Sequence, residues 1–223
     1  MKRAMVLSLS FMLVAATLCS VPALAQEPEY TLKDYMPYTV GSKWMMKSVG
    51  GDGDQTSTYE VLEARNVGGQ QALPIVMKTA EGQIRFGTLE LVTADKLTIF
   101  GSLFRRGGDQ GGQTTTVRYE PAASFPGKMR AGQSEEAALK VNIGQRQMDV
   151  TIKLELAAVE AVTVPKGTFE DCLKLVYTTS FGRGEMKRTV WYAKGVGMVK
   201  TERTGRGGQG TRVAELTDYS LVK

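Results

Sequence analysis

Apolar and polar residues alternate along much of the chain, and residues 148–156 show the clearest run. Five apolar residues alternate there with four polar ones in the sequence MDVTIKLEL. Successive side chains of a β-strand point to opposite faces, so this period of two predicts a strand with one buried face. Ala157 and Ala158 interrupt the alternation, and we expect a β-bulge there.

Shorter alternating segments, separated by glycine-rich turns, recur up to residue 221. Together they predict roughly ten to twelve strands and no long amphipathic helix. The lead-in before the first strand is expected to be irregular or to form a short helix near Leu32–Tyr35. Residues 120–136 contain two prolines and two glycines, so we expect a long connection there. A sheet of this size does not stay open and flat. The sequence therefore predicts an all-β fold, in which a curved antiparallel sheet forms a half-barrel, a barrel-like structure or a sandwich.

The first 25 residues have the three parts of a secretory signal peptide. Lys2 and Arg3 supply a positive start, residues 4–21 are mainly apolar, and a small-x-small cleavage site ends at Ala25. Serine and threonine interrupt the apolar run, which is short for a membrane anchor. We therefore expect cleavage near Ala25 and a periplasmic or secreted protein. Residues 26–223 are expected to form a single all-β domain without a transmembrane segment.

The chain contains no histidine, and Cys172 is the only cysteine beyond the predicted signal peptide. This composition excludes Ser–His–Asp and Cys–His catalysis and zinc sites that need imidazole. Cys172 lies within an alternating segment and is interpreted as a small buried hydrophobic residue. We expect a protein that is not an enzyme and that has no cofactor or metal. An enzyme that uses carboxylate, tyrosine or lysine chemistry is a third alternative, besides the two functions given at the end of this section.

Charge argues against a nucleic-acid partner. The chain has 28 basic and 23 acidic residues, and two of the basic ones belong to the predicted leader, so the exported part is only mildly basic. Arg106-Gly107-Gly108 and Arg206-Gly207-Gly208 resemble nucleic-acid-binding segments, but we interpret them as hairpin loops.

Further basic residues occur in the C-terminal part of the chain, at Lys187, Arg188, Arg203, Arg206 and Arg212. One hypothesis is a basic rim for anionic head groups or cell-wall polymers. The other, which we favour from sequence, is a solvated strand edge that discourages aggregation.

The segments VPKGTF at residues 164–169 and WYAKGVGMV at residues 191–199 resemble a C-terminal VPxGTF…WYxxGVGxV motif of exported bacterial β-proteins of unknown function. Residues 40–44 (VGSKW) are similar to the first strand of that family. The resemblance implies a curved sheet like the β-clam of carriers that localise lipoproteins, and it implies no catalytic residues. Within the motif, we predict turns or bends at Pro165, Gly167, Gly195 and Gly197.

These observations favour an exported, non-catalytic binding protein that holds a hydrophobic or lipid-like ligand on the concave face of the sheet. The residues that we predict to line this face are Trp44, Met46, Phe86, Phe100, Leu154 and Trp191. The alternative is a structural or assembly protein of the cell envelope that acts through contacts with other envelope proteins.

Overall fold

The computed structural model describes residues 27–49, 55–105, 112–182, 184–204 and 210–222. The predicted signal peptide and both Arg-Gly-Gly segments lie outside these ranges. The described residues form one short helix and fifteen strands, which in chain order are β1 (Glu29–Thr31), α1 (Leu32–Tyr35), β2 (Lys43–Val49), β3 (Thr56–Val61), β4 (Arg65–Val67), β5 (Gln70–Lys78), β6 (Ile84–Val92), β7 (Lys96–Arg105), β8 (Thr114–Pro126), β9 (Lys128–Arg130), β10 (Ser134–Ile143), β11 (Arg146–Val164), β12 (Gly167–Phe181), β13 (Gly184–Ala193), β14 (Gly197–Thr204) and β15 (Thr211–Ser220).

Twelve of these strands form a closed antiparallel barrel. Neighbours pair in the order β3-β2-β15-β14-β13-β12-β11-β10-β8-β7-β6-β5, and β5 pairs again with β3. The edge of β5 that pairs with β3 also pairs with β4, through its first three residues. Strands β1 and β9 form a separate two-stranded ladder. The prediction of an all-β fold with a curved antiparallel sheet is confirmed. The sheet closes completely, so it is a barrel rather than a half-barrel.

The alternation in residues 148–156 determines which face of β11 is buried. Val150, Ile152 and Leu154 point into the barrel and expose 7%, 4% and 0% of their surface. The pairing of β11 with β12 shifts register between Leu156 and Ala158. The bulge that the two alanines predict is therefore confirmed.

The prediction that residues 120–136 form a long connection is wrong. β8 continues through Pro121 to Pro126, and β9 and the start of β10 follow. Between Arg118 and Ala123, the residues of β8 have no partner on β7, because the pairing shifts register there. A proline lacks the N–H that a regular ladder needs, and this interrupted stretch accommodates it.

The N-terminal segment lies across one end of the barrel. The Leu32 N–H donates to the Gly127 carbonyl, and the Gly195 N–H donates to the Asp34 carbonyl, both at 2.8 Å. Gly127 follows β8 and Gly195 follows β13, so α1 bridges two connections at the same end. Leu32 and Tyr35 expose 0% and 4% of their surface. This end of the barrel is closed by packed side chains, and we call it the plugged end.

A second and smaller apolar cluster lies outside the barrel wall. It consists of Ala72, Leu89, Phe100 and Leu103, and Val67 of β4 packs against it. These residues occupy the outward positions of β5, β6 and β7, whose inward residues belong to the main core. The short strand β4 thus covers an apolar patch on the outer face.

Candidate functional site

The half of the barrel away from the plugged end contains apolar side chains that water still reaches. Met77, Phe86 and Phe104 are direct cross-strand partners on β5, β6 and β7. With Met148 of β11, they point inward but are only half-buried. We call these four residues the apolar wall. Large inward side chains near the plugged end, such as Trp44, are buried, and the accessible space, which we call the lumen, lies toward the opposite end.

Three arginines form a row on the other side of the lumen. Arg188 of β13 is the direct partner of Arg203 of β14, which is the direct partner of Arg212 of β15. Arg188 also pairs with Tyr177, which pairs with the fully buried Leu154. Directly opposite residues share a face of the sheet, so the row points inward. We call Arg188, Arg203 and Arg212 the arginine ladder.

Two members of the ladder reach aromatic rings on other strands. The Arg203 guanidinium lies 5.0 Å from the ring centroid of Phe86, on β6. The Arg188 guanidinium lies 5.9 Å from the ring centroid of Tyr59, on β3. Since β14 and β6 are far apart in the order of the ring, the Arg203 side chain spans the lumen. The ladder and the apolar wall therefore belong to one site.

The charges of the ladder act on one another. Partial loss of water around its guanidinium inside the barrel lowers the pKa of Arg203, and the like charges of Arg188 and Arg212 lower it further. A guanidinium nevertheless stays protonated in proteins. Arg203 and Arg212 are exposed to solvent, whereas Arg188 is half-buried. The lumen thus carries a concentrated positive charge that solvent can reach.

Tyrosine hydroxyls lie between the ladder and the plugged end. The hydroxyl oxygens of Tyr38 and Tyr192 are 3.4 Å apart, and the Tyr38 ring packs edge-on against Trp44. Burial raises the pKa of Tyr38 and of Tyr177 well above the ordinary value of a tyrosine. These phenols therefore remain protonated and able to donate hydrogen bonds at neutral pH.

Glu90 contributes a carboxyl group to the same part of the lumen. The Thr88 hydroxyl donates to Glu90 Oε1 at 2.5 Å. Burial raises the pKa of Glu90, and this outweighs the hydrogen bond from Thr88 and the charge of Arg188, which act in the opposite direction. Within the described ranges, neither Glu90 nor Arg188 forms a contact ion pair.

The six residues predicted to line the concave face occupy three different environments. Trp44, Met46 and Leu154 have no exposed surface and belong to the packed core. The Trp44 indole N–H donates to the Val196 carbonyl at 2.7 Å, which ties it to the plugged end. Phe86 keeps accessible surface within the lumen.

Phe100 and Trp191 lie outside the lumen, which corrects the prediction for these two residues. Phe100 belongs to the outer cluster, beside the register shift between Ile99 and Gly101. Trp191 pairs with Lys174 and Lys200, on the outer face.

The surroundings of Trp191 explain how it is buried on the outer face. Its indole N–H donates to Glu160 Oε1 at 2.6 Å, and the amino groups of Lys174 and Lys200 lie 5.1 and 5.3 Å from the ring centroid. Adjacent residues of a strand point to opposite faces, so Tyr192 takes the inward position instead.

The turn motif lies at the plugged end. Pro165 and Lys166 connect β11 to β12, and Gly195 lies in the connection between β13 and β14. Gly167, Gly195 and Gly197 have φ values of 140°, 68° and 98°. The motif therefore shapes the end of the barrel opposite the arginine ladder.

The arginines and Glu90 were not among the residues predicted for the site. From sequence, a basic rim was one hypothesis and a solvated strand edge was the favoured one. The interpretation as a strand edge is wrong. β13, β14 and β15 each pair on both sides, so they have no free edge. By alternation, Arg188 shares a face of its strand with the apolar residues Val190 and Tyr192. This pattern is the sequence signal that could have placed Arg188 inside the barrel.

Part of the chain resembles a known protein family. Residues 107–216 match a family described as DUF3108-like. The matched region ends within β15 and includes all three arginines of the ladder. None of the curated proteins matches the chain.

Two solved structures resemble the chain over most of its length. One is a candidate lipoprotein from Parabacteroides distasonis, with 20% identity and a TM-score of 0.46, covering 83% of this chain and 98% of the other. The second is a candidate exported protein with a YmcC-like fold from Bacteroides fragilis, with 14% identity and a TM-score of 0.48, covering 84% of this chain and 99% of the other. Within the described ranges, no helix has the length and apolar character needed to cross a membrane.

Proposed function

We propose that this protein is an exported, non-catalytic binding protein that holds a hydrophobic or lipid-like ligand in the lumen of its barrel. The observation that carries the proposal is the apolar wall: Met77, Phe86, Phe104 and Met148 point into a closed barrel but remain half-buried. Export is proposed from the signal-peptide pattern of residues 1–25.

Three physical arguments support a ligand in this position. A barrel of eight strands is just wide enough for its own side chains to fill, and this barrel has twelve. Removing apolar surface from water contributes about 25 cal/mol per Å², so an apolar ligand gains free energy by covering the wall. Flexible methionine side chains adapt to ligands of different shape.

Filling the lumen tests the proposal. The purified protein, stripped of bound lipid, is titrated with a fluorescent fatty acid and examined by native mass spectrometry. We expect saturable uptake of the probe. Met77→Trp places a larger side chain in the lumen and should weaken uptake at least about tenfold, since the ligand loses contact area. Met45→Trp, on the outer face of β2, is the matched control and should bind as the wild type does.

Absence of saturable uptake by the wild type would refute the proposal, and so would equal weakening by the two tryptophan variants. If the protein instead works as an assembly factor of the envelope, crosslinking in the native envelope should capture a stable protein partner, and Met77→Trp should leave that capture unchanged.

A further inference from the structure

The arginine ladder places like charges side by side. Arg188 lies directly opposite Arg203, and Arg203 directly opposite Arg212. Like charges in such positions destabilise a sheet. In the part of the chain that the structure describes, neither Arg188 nor Arg203 forms an ion pair with a carboxylate. A bound anion would remove the repulsion between them.

The guanidinium groups are held in a way that suits an anion. Arg188 contacts the ring of Tyr59, and Arg203 contacts the ring of Phe86. Each guanidinium has five N–H donors, and contact with an aromatic ring does not consume them. Arg188 directs one of its donors at the Met198 sulfur, at 3.9 Å, which leaves the others for an anion. Pairs of these donors match the two oxygens of a carboxylate or a phosphate.

The apolar wall indicates what the anion is attached to. Phe86 belongs to that wall and also contacts Arg203, so an anion on the ladder has Met77 and Phe104 within the same space. We propose that the ladder binds an oxyanion, a carboxylate or a phosphate, which forms the head group of the ligand whose chain covers the apolar wall. The part of this inference that concerns the apolar tail of the ligand rests on the proposed function. The part that concerns its head group does not.

Four probes separate the head group from the chain: dodecyl phosphate, dodecanoate, uncharged dodecanol and inorganic phosphate. Affinities are measured by displacement of a fluorescent fatty acid and, for phosphate, by calorimetry. We expect the two charged amphiphiles to bind at least about tenfold more tightly than dodecanol, because hydrogen bonds to charged groups add affinity. The larger of the two affinities identifies the oxyanion as phosphate or carboxylate.

Variants assign this preference to the ladder. Arg203→Gln should weaken both charged amphiphiles about 10- to 100-fold and leave dodecanol unchanged. Arg203→Lys keeps the charge but loses the paired donors. Its affinity for the charged amphiphiles should therefore lie between those of the wild type and of Arg203→Gln. Arg118→Gln removes an exposed arginine from the outer face of β8 and should change nothing.

The outcomes distinguish the two proposals. If dodecanol binds as tightly as the charged amphiphiles, the head-group inference is overturned and the proposed function stands. If inorganic phosphate binds and Arg203→Gln abolishes it while no amphiphile binds, the oxyanion site stands and the proposed function is overturned. Equal effects of Arg203→Gln and Arg118→Gln would overturn the inference, as would the absence of binding by all four probes.

Discussion

The indole of Trp44 occupies the space that a side chain at position 197 would need. A Cβ added to Gly197 would lie 2.8 Å from the Trp44 Nε1 and 2.9 Å from two ring carbons. The Trp44 N–H also donates to the Val196 carbonyl. The first strand of the barrel thus contacts the turn between β13 and β14 so closely that only glycine fits.

Two alanine substitutions in this turn separate steric contact from backbone strain. Gly197→Ala should destabilise the protein by about 3 kcal/mol, because the new methyl group meets the indole and φ is positive. Gly195 also has positive φ, but a Cβ there meets nothing within 4 Å. Gly195→Ala should therefore cost only about 1 kcal/mol. Urea denaturation measures both, and equal losses would refute the steric role of Trp44.

Repulsion within the arginine ladder is measurable without a ligand. In a double-mutant cycle of Arg188→Gln and Arg203→Gln, we expect a repulsive coupling of about 0.5 kcal/mol between the two side chains. The cycle cancels the separate contacts with Tyr59 and Phe86. Salt screens accessible charges, so the coupling should shrink between low and high ionic strength. A coupling that is attractive, or independent of salt, would contradict this arrangement.

Glu90 should make stability depend on pH. Burial raises its pKa in the folded protein, so between the ordinary glutamate pKa and the raised value the folded state binds more protons than the unfolded state. Stability then falls as pH rises through that window.

Glu90→Gln lacks this ionisation, and its stability relative to the wild type should increase as pH rises from about 4 to neutrality. Urea denaturation across this range measures the change. Glu136→Gln removes an exposed carboxylate from β10 and is the control. A Glu90→Gln difference that is constant with pH would show that the carboxyl group titrates normally.

Cys172 should react slowly while the protein is folded. Its side chain is fully buried, and burial raises the pKa of the thiol to about 11. At pH 8, only about 0.1% of such a thiol is the reactive thiolate, compared with about a quarter of an unperturbed cysteine. Labelling by a disulfide reagent should be at least about 100-fold slower than in denaturant, once the predicted leader with Cys19 has been removed. Rapid labelling of the native protein would show that the thiol is accessible.

Much of the barrel could be predicted because its strands carry a local signal. The run from Met148 to Leu156 alternates strictly, and Ala157 and Ala158 interrupt it where the register shifts. Residues around Pro121 could not be assigned, since a proline is compatible with a strand only where ladder hydrogen bonds are already missing. That condition depends on the partner strand β7, which lies earlier in the chain.

The site was harder to predict because it depends on closure of the sheet. In an open sheet, Arg188 and Arg203 would be surface charges, and their sequence neighbours do not indicate otherwise. Only the pairing of β5 with β3 makes that face the inside of a barrel. Trp191 shows the same limit: alternation separates it from Tyr192, but only the assembled barrel shows which of the two points inward.

The pairing of β2 with β15 also bears on how the protein is made. Lys43 to Val49 have their partners at Val213 to Ser220. The first barrel strand can therefore complete its pairing only after the last strand has been synthesised. Pairing over such a distance along the chain is slow, and until it forms, β2 and β14 each present an unpaired edge that can join other chains. A translation product that stops before Thr211 would keep both edges permanently, and it should aggregate rather than accumulate as a smaller barrel.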